Sequence, residues 1–239
     1  MFLPIYDGLP LRCLRAPLAT RGLLGACVAA FAVVESGALS VDPSWIVAGF
    51  GLIPAVLWES AALPEGLPFV PEPLTLVTSV FLHGSVLHLL GNMLFLWVFG
   101  DNVEDAMGHV RFLVFFLLCG ALASLAHAFV DPESVRPLIG ASGAVSGVVA
   151  AYLILYPRVK VWGLFLKGIP LRLPAYWAIG FWFVLQIGAA FFSGDEAVGW
   201  FAHLGGFLAG AVLVFVFRRR FDPVIARVEA TELRALPRS

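Results

Sequence analysis

Gly140-Ala141-Ser142-Gly143-Ala144-Val145-Ser146-Gly147 opens an uncharged run that continues to Tyr156 and stops at Pro157-Arg158. As a helix, residues 141–156 would be about 24 Å long, several ångströms short of ~30 Å of hydrocarbon. If the Tyr156 end is flush with one interface, the Ser142 end starts below the other. Longer apolar stretches flank this run on both sides. They cover residues 22–39, 79 or 85 to 99, 109–130, 174–192 and 199–217. With the short run, that makes six candidate membrane spans. Composition agrees: 60% of residues are hydrophobic and only 13% charged, where a soluble domain carries roughly 25% charged residues. The expected fold is an all-α membrane protein, a six-span helical bundle.

The formal net charge of −1 offers no field for phosphate, so no nucleic-acid partner is expected. The three cysteines, Cys13, Cys27 and Cys119, show no metal-binding spacing, and Cys27 and Cys119 read as small buried hydrophobes. No cofactor and no metal are expected. Residues 45–53 are apolar but too short to span, which suits an interfacial or dipping segment. The basic residues ahead of the first span give it the look of a signal peptide, but further spans follow, so a retained signal anchor is the better reading.

Placement of Lys and Arg sets the orientation. With the N-terminus inside, every basic residue except Arg136 falls on the cytoplasmic side. The outer loops collect Asp42, Glu59, Glu65, Glu72, Asp131, Glu133, Asp195 and Glu196. Both termini are then cytoplasmic. Residues 1–21 form an N-terminal tail, 22–217 the six-span domain and 218–239 a basic C-terminal tail, in a bacterial-type plasma (inner) membrane.

Ionisable and polar groups are costly inside a membrane and mark candidate functional sites. His88 and Asn92 lie four apart on the second span, hence on one helical face. Gly84-Ser85 can break and cap that helix, which favours the later start and puts His88 in its first turn. Ser142 would stand at a submerged helix N-terminus, where unpaired N–H groups and the positive dipole end favour a developing oxyanion. His203 lies four residues past Gly199, level with Ser142 by the same depth estimate, on a helix with the G-x-x-x-G pair Gly206 and Gly210. That is the geometry a Ser–His pair needs. Each piece also has a plainer reading: small-residue packing for the Gly/Ala/Ser run, a satisfied core histidine, and an interhelical clamp for His88 and Asn92.

Taken together, Gly140-Ala141-Ser142-Gly143, Ala202-His203-Leu204-Gly205-Gly206 with Gly210, and His88-Leu89-Leu90-Gly91-Asn92 resemble the rhomboid intramembrane serine proteases. Phe99-Gly100-Asp101-Asn102-Val103-Glu104 resembles the segment that ends the family's second span. The resemblance implies Ser142 as nucleophile and His203 as general base, without an aspartate. It implies His88, Asn92 and the backbone N–H of Ser142 as the oxyanion hole. Partners would be transmembrane protein substrates and the lipid bilayer, with the oligomeric state open. Two features depart from the pattern. Ser146 stands where some members carry an aromatic against the histidine, and the first outer loop lacks the Trp-Arg pair of some members. A non-catalytic rhomboid-fold protein that binds transmembrane clients is the alternative, and a small-solute transporter a third reading. No H-E-x-x-H motif and no pair of intramembrane aspartates supports the other intramembrane protease chemistries.

Overall fold

In the computed structural model, residues 2–67, 69–165, 168–192 and 199–219 are described. Strand β1 (Phe2–Tyr6) precedes helix α1 (Leu18–Glu35) and the short helices α2 (Pro43–Phe50), α3 (Pro54–Leu57) and α4 (Thr75–Thr78). Two long helices follow, α5 (Val86–Met107) and α6 (His109–Val130), and then α7 (Ser142–Leu155). A hairpin of β2 (Lys160–Phe165) and β3 (Ile169–Pro174) leads into α8 (Ala175–Phe192), and α9 (Trp200–Phe217) ends the described chain.

Among the described residues, five helices are long and apolar enough to cross a membrane: α1, α5, α6, α8 and α9. The short apolar helix α7 lies inside the ring they form, buried along nearly its whole length. It is the helix whose brevity the sequence exposed. The span limits agree to within a few residues except for α5, which continues past Phe99 to Met107. Residues 45–50 of the apolar segment are helical: they belong to α2, with Asp42 capping its N-terminus by accepting the Ser44 N–H.

Close packing without side chains holds the centre. A Cβ on Gly206 would lie 2.0 Å from the Gly143 carbonyl oxygen, and one on Gly210 would lie 2.2 Å from that of Gly147. Where α6 also meets α7, a Cβ on Gly143 would touch Ala123 and one on Gly147 would touch Cys119, both of α6. Small residues let three backbones approach where lipid provides no hydrophobic drive between helices. Cys27 and Cys119 are fully buried free thiols.

The all-α expectation needs an amendment. β1, β2 and β3 form a three-stranded antiparallel sheet in that order, with Leu3 opposite Leu164 and Trp162 opposite Arg172. The N-terminal segment is therefore a built part of the molecule rather than a loose tail. Asp105 accepts the N–H groups of Arg12, Cys13 and Leu14 at 2.7–2.9 Å. Fully buried Glu104 accepts the Ala19 and Thr20 N–H groups at the start of α1, together with the Thr20 hydroxyl. Pro17 offers α1 no side-chain cap, so this carboxylate from α5 serves instead. These bonds put the N-terminal segment, the C-terminal end of α5, the β2–β3 hairpin and, through Arg219 N–H to Ala106 O, the end of α9 on one face. Most of the acidic Asp195–Glu196 loop and of the basic tail from residue 218 onward lies outside the described residues, as does Lys167.

The segment between α1 and α5 has its own anchors in place of a Trp-Arg pair. Trp58 Nε1 donates to the Ala128 carbonyl at 2.8 Å, Thr78 Oγ1 donates to the Phe50 carbonyl at 2.6 Å, and Leu52 bridges to Leu138.

Candidate active site

Ser85 caps α5, its Oγ accepting the His88 N–H at 3.1 Å. That cap begins the helix at Val86 and leaves His88 in the first turn, with Asn92 a turn deeper and buried. Opposite them the chain arrives at α7 through Gly140, whose φ of +123° suits glycine. Its backbone is pressed onto the α5 pair. A Cβ there would sit 2.6 Å from His88 Cε1, 2.7 Å from His88 Nε2 and 3.8 Å from Asn92 Nδ2. The Gly140 N–H donates to the Ser79 carbonyl at 2.9 Å, which ties the approach to the turn just before α5.

Ser142 is the first residue of α7, where backbone N–H groups have no partner within the helix. Immediately after it, Gly143 meets α9: its carbonyl is the atom that Gly206 abuts, and a Cβ at 143 would lie 3.4 Å from the Ala202 carbonyl. Ser142 is thus bracketed, with His88 and Asn92 beside its preceding glycine and the Ala202–Gly206 turn beside its following one. His203 belongs to that turn, and His88 and His127 both lie within electrostatic range of it.

The structure sets His88 and Asn92 against Gly140, and the α9 turn of Ala202 and Gly206, which includes His203, against Gly143, on either side of Ser142. His83 joins them, buried and edge-on to His88 with ring centroids 5.2 Å apart. Asn92 Nδ2 is a buried donor with no hydrogen-bond partner, which is costly unless something else uses it. Ser146 bonds back along its own helix, its Oγ donating to the Ser142 carbonyl at 2.7 Å, and so does not steer the histidine.

One residue of the site escaped the sequence reading. Gln186 on α8 is buried, and its Oε1 lies 2.7 Å from His203 Nδ1. The Trp200 ring stands edge-on to the same imidazole, centroids 5.7 Å apart. Gln186 is an amide in an apolar span, the kind of signal that marks Asn92, but no motif or helical spacing ties it to the other residues. Among the described residues, no cluster of three or more His, Cys, Asp or Glu could hold a metal ion.

A multi-pass helical membrane protein with a serine at a buried helix start, faced by histidines and an orphan amide, is the class that fold and site define. The Rhomboid domain family matches residues 71–220, more than half of the chain and all of these site residues. The protein belongs to the rhomboid family. It is 31% identical over 164 residues to RHOMBOID-like protein 5 of Arabidopsis thaliana, covering 69% of this chain and 50% of that one. It is 27% identical over 150 residues to Rhomboid-like protease 3 of Toxoplasma gondii, covering 61% and 52%. Against Rhomboid protease GluP of Bacillus subtilis it is 33% identical over 138 residues, covering 58% and 25%. The chain thus spans about half the length of the first two relatives and a quarter of the third.

Proposed function

We propose that the protein is an intramembrane serine endopeptidase that hydrolyses peptide bonds in or near transmembrane segments of membrane proteins. Ser142 Oγ attacks the scissile carbonyl and its proton passes to His203, which later returns a proton to the leaving amine. The oxyanion is received by the Ser142 backbone N–H, Asn92 Nδ2 and His88. The observation that carries this reading is the bracketing of Ser142, by Gly140 against His88 and Asn92 and by Gly143 against the Ala202–Gly206 turn. The partnerless Asn92 amide adds to it: an interhelical clamp would be spent on a neighbouring helix, whereas a donor held for a transient oxyanion is left unpaired at rest.

We further place both termini on the cytoplasmic side of a bacterial-type plasma (inner) membrane, in a six-span domain over residues 22–217 with α7 as the fourth span. The charge asymmetry of the loops supports this orientation. Several relatives carry a mitochondrial name, so the membrane of residence is read by fractionating the native cell.

Purified wild type should cut a single-span membrane protein and react with a fluorophosphonate serine probe. Ser142→Ala and His203→Ala should each lose both activities while keeping the wild-type melting profile in detergent. Turnover above a few per cent of wild type in either variant excludes the dyad. Cleavage absent from wild type together with no Ser142-dependent labelling would instead favour a non-catalytic client-binding protein.

A further inference from the structure

His203 is held by α8, not by the helix that carries Ser142. Phe183 and Gln186 are three apart on α8, and His203 and Phe207 four apart on α9, so each pair shares one helical face. The faces meet in two successive contacts. Phe183 stacks on Phe207 with centroids 3.9 Å apart and an interplanar angle of 21°, and one turn further out Gln186 Oε1 reaches His203 Nδ1. The stack fixes the height of α8 against α9, and that height sets the amide opposite the imidazole.

We propose that Gln186 is a positioning residue for the general base: its side-chain carbonyl accepts the His203 Nδ1 proton, fixing the ring's orientation and the tautomer with its lone pair on Nε2. A carbonyl oxygen can only accept, so Nδ1 must carry hydrogen, and Nε2 is then the nitrogen able to take a proton. When the Ser142 Oγ–carbon bond forms, the proton moves from Oγ to Nε2 and the ring becomes an imidazolium. The Nδ1–H···Oε1 bond strengthens as that charge appears, and it relaxes when Nε2 delivers the proton to the leaving amine. Gln186 thereby fills the role of the aromatic that Ser146 cannot play, with a neutral acceptor where a triad would use a carboxylate. The other titratable groups near the ring, His88 and His127, do not take this place, because Gln186 Oε1 already occupies the Nδ1 side.

The inference rests on the Ser142–His203 reading, and the experiment separates the two. Cleavage of a model single-span substrate is measured for wild type, Ser142→Ala, Gln186→Leu and Gln186→Glu across pH 5–9. Gln186→Leu should lower kcat by roughly 10²-fold, the low end of what a positioned base contributes, with KM unchanged. Gln186→Glu keeps an acceptor and should restore most of that loss. Its carboxylate should also move the acid limb of the profile to higher pH, by about 1–3. In parallel, ¹⁵N-histidine NMR in the inert Ser142→Ala background reads the tautomer directly, even if one variant folds poorly in the active protein. His203, assigned by the loss of its signal in His203→Asn, should carry hydrogen on Nδ1 and lose that bias with Gln186→Leu. Wild-type kcat in Gln186→Leu, or an Nε2–H tautomer in the wild-type ring, overturns the proposal while leaving the dyad standing. Cleavage by Ser142→Ala overturns the dyad itself.

Discussion

Asn92 shows how much a single residue's pairing can say. Its amide nitrogen is buried without a partner, 3.8 Å from where a Cβ on Gly140 would sit. Removing one oxyanion donor typically costs about 10²–10³ in rate, but the Ser142 N–H and His88 would remain. Asn92→Ala should therefore reduce kcat only partially, with a smaller loss than that of Ser142→Ala and no fall in melting temperature, since no protein hydrogen bond is lost. A marked loss of stability would mean the amide clamps helices instead. At this scale Ser142, His203, His88 and Asn92 could all be proposed from the sequence, because each is a polar residue in a span at a countable distance from a helix start. Gln186 as a partner could not. Nothing in the spacing between positions 186 and 203 says which face α8 turns to α9; the Phe183–Phe207 stack decides that.

Among the elements, α7 and α9 make the least forgiving contact. Overpacking a well-filled interface costs typically 1–3 kcal/mol, and here the obstacle is backbone, which cannot rotate aside. Gly206→Val and Gly210→Val should lower the melting temperature sharply and abolish cleavage, because the α9 turn carrying His203 would be pushed off Ser142. Gly22→Val on α1, where a Cβ would meet nothing within 4 Å, should leave both nearly unchanged. Equal effects would show that the glycines act through helix propensity and not contact. The helices were readable because each buries a long apolar run. The sheet was not: β1 contains Pro4, is only five residues long and pairs with a strand more than 150 positions away, so no local pattern announces it.

The same N-terminal segment carries a pH dependence. Asp7 lies just beyond β1, its Oδ2 accepting the Tyr152 hydroxyl at 2.7 Å and Asn102 Nδ2 at 2.9 Å, with Asp101 close by. Burial raises its carboxyl above the ordinary 3.8, outweighing the opposing hydrogen bonds from Tyr152 and Leu9. A raised folded-state value means the folded protein holds the proton more tightly than the unfolded chain. The resulting stability is complete below about 4 and is lost as pH rises through the raised value. Asp7→Asn removes the titration, so the melting temperature of wild type relative to this variant should fall between pH 4 and pH 8. A gap that does not change with pH would show that Asp7 titrates alike in both states.

Across the whole molecule, the attachments of α8 are unequal. At its N-terminal end, β3 runs straight into it, Ala175 N–H donates to the Val159 carbonyl and Tyr176 N–H to that of Pro157. Its buried residues Ala175, Ala178 and Ile179 fall in the same first turns, and beyond them only Gln186 is buried. Along α9 it is held by Phe183–Phe207, Gln186–His203 and an edge contact of Phe191 with Phe201. Towards α5, Trp182 meets Phe95 with ring centroids 6.0 Å apart, while Trp177 and Phe181 are exposed. Under the proposed function, a client helix would reach Ser142 from the lipid side and unwind there, since a carbonyl bonded within a helix is shielded from attack. The seam between the outer parts of α5 and α8 is the one that parts with the least loss, and parting it leaves His203 with its glutamine. A cysteine pair joining the outermost turns of α5 and α8, in a chain whose three cysteines are replaced, should block cleavage of a membrane-embedded client when oxidised and release it on reduction. The small fluorophosphonate should label Ser142 in both states, because the base stays positioned. Full cleavage in the locked form would rule out this seam as the route, and loss of labelling would show instead that the lock had distorted the site.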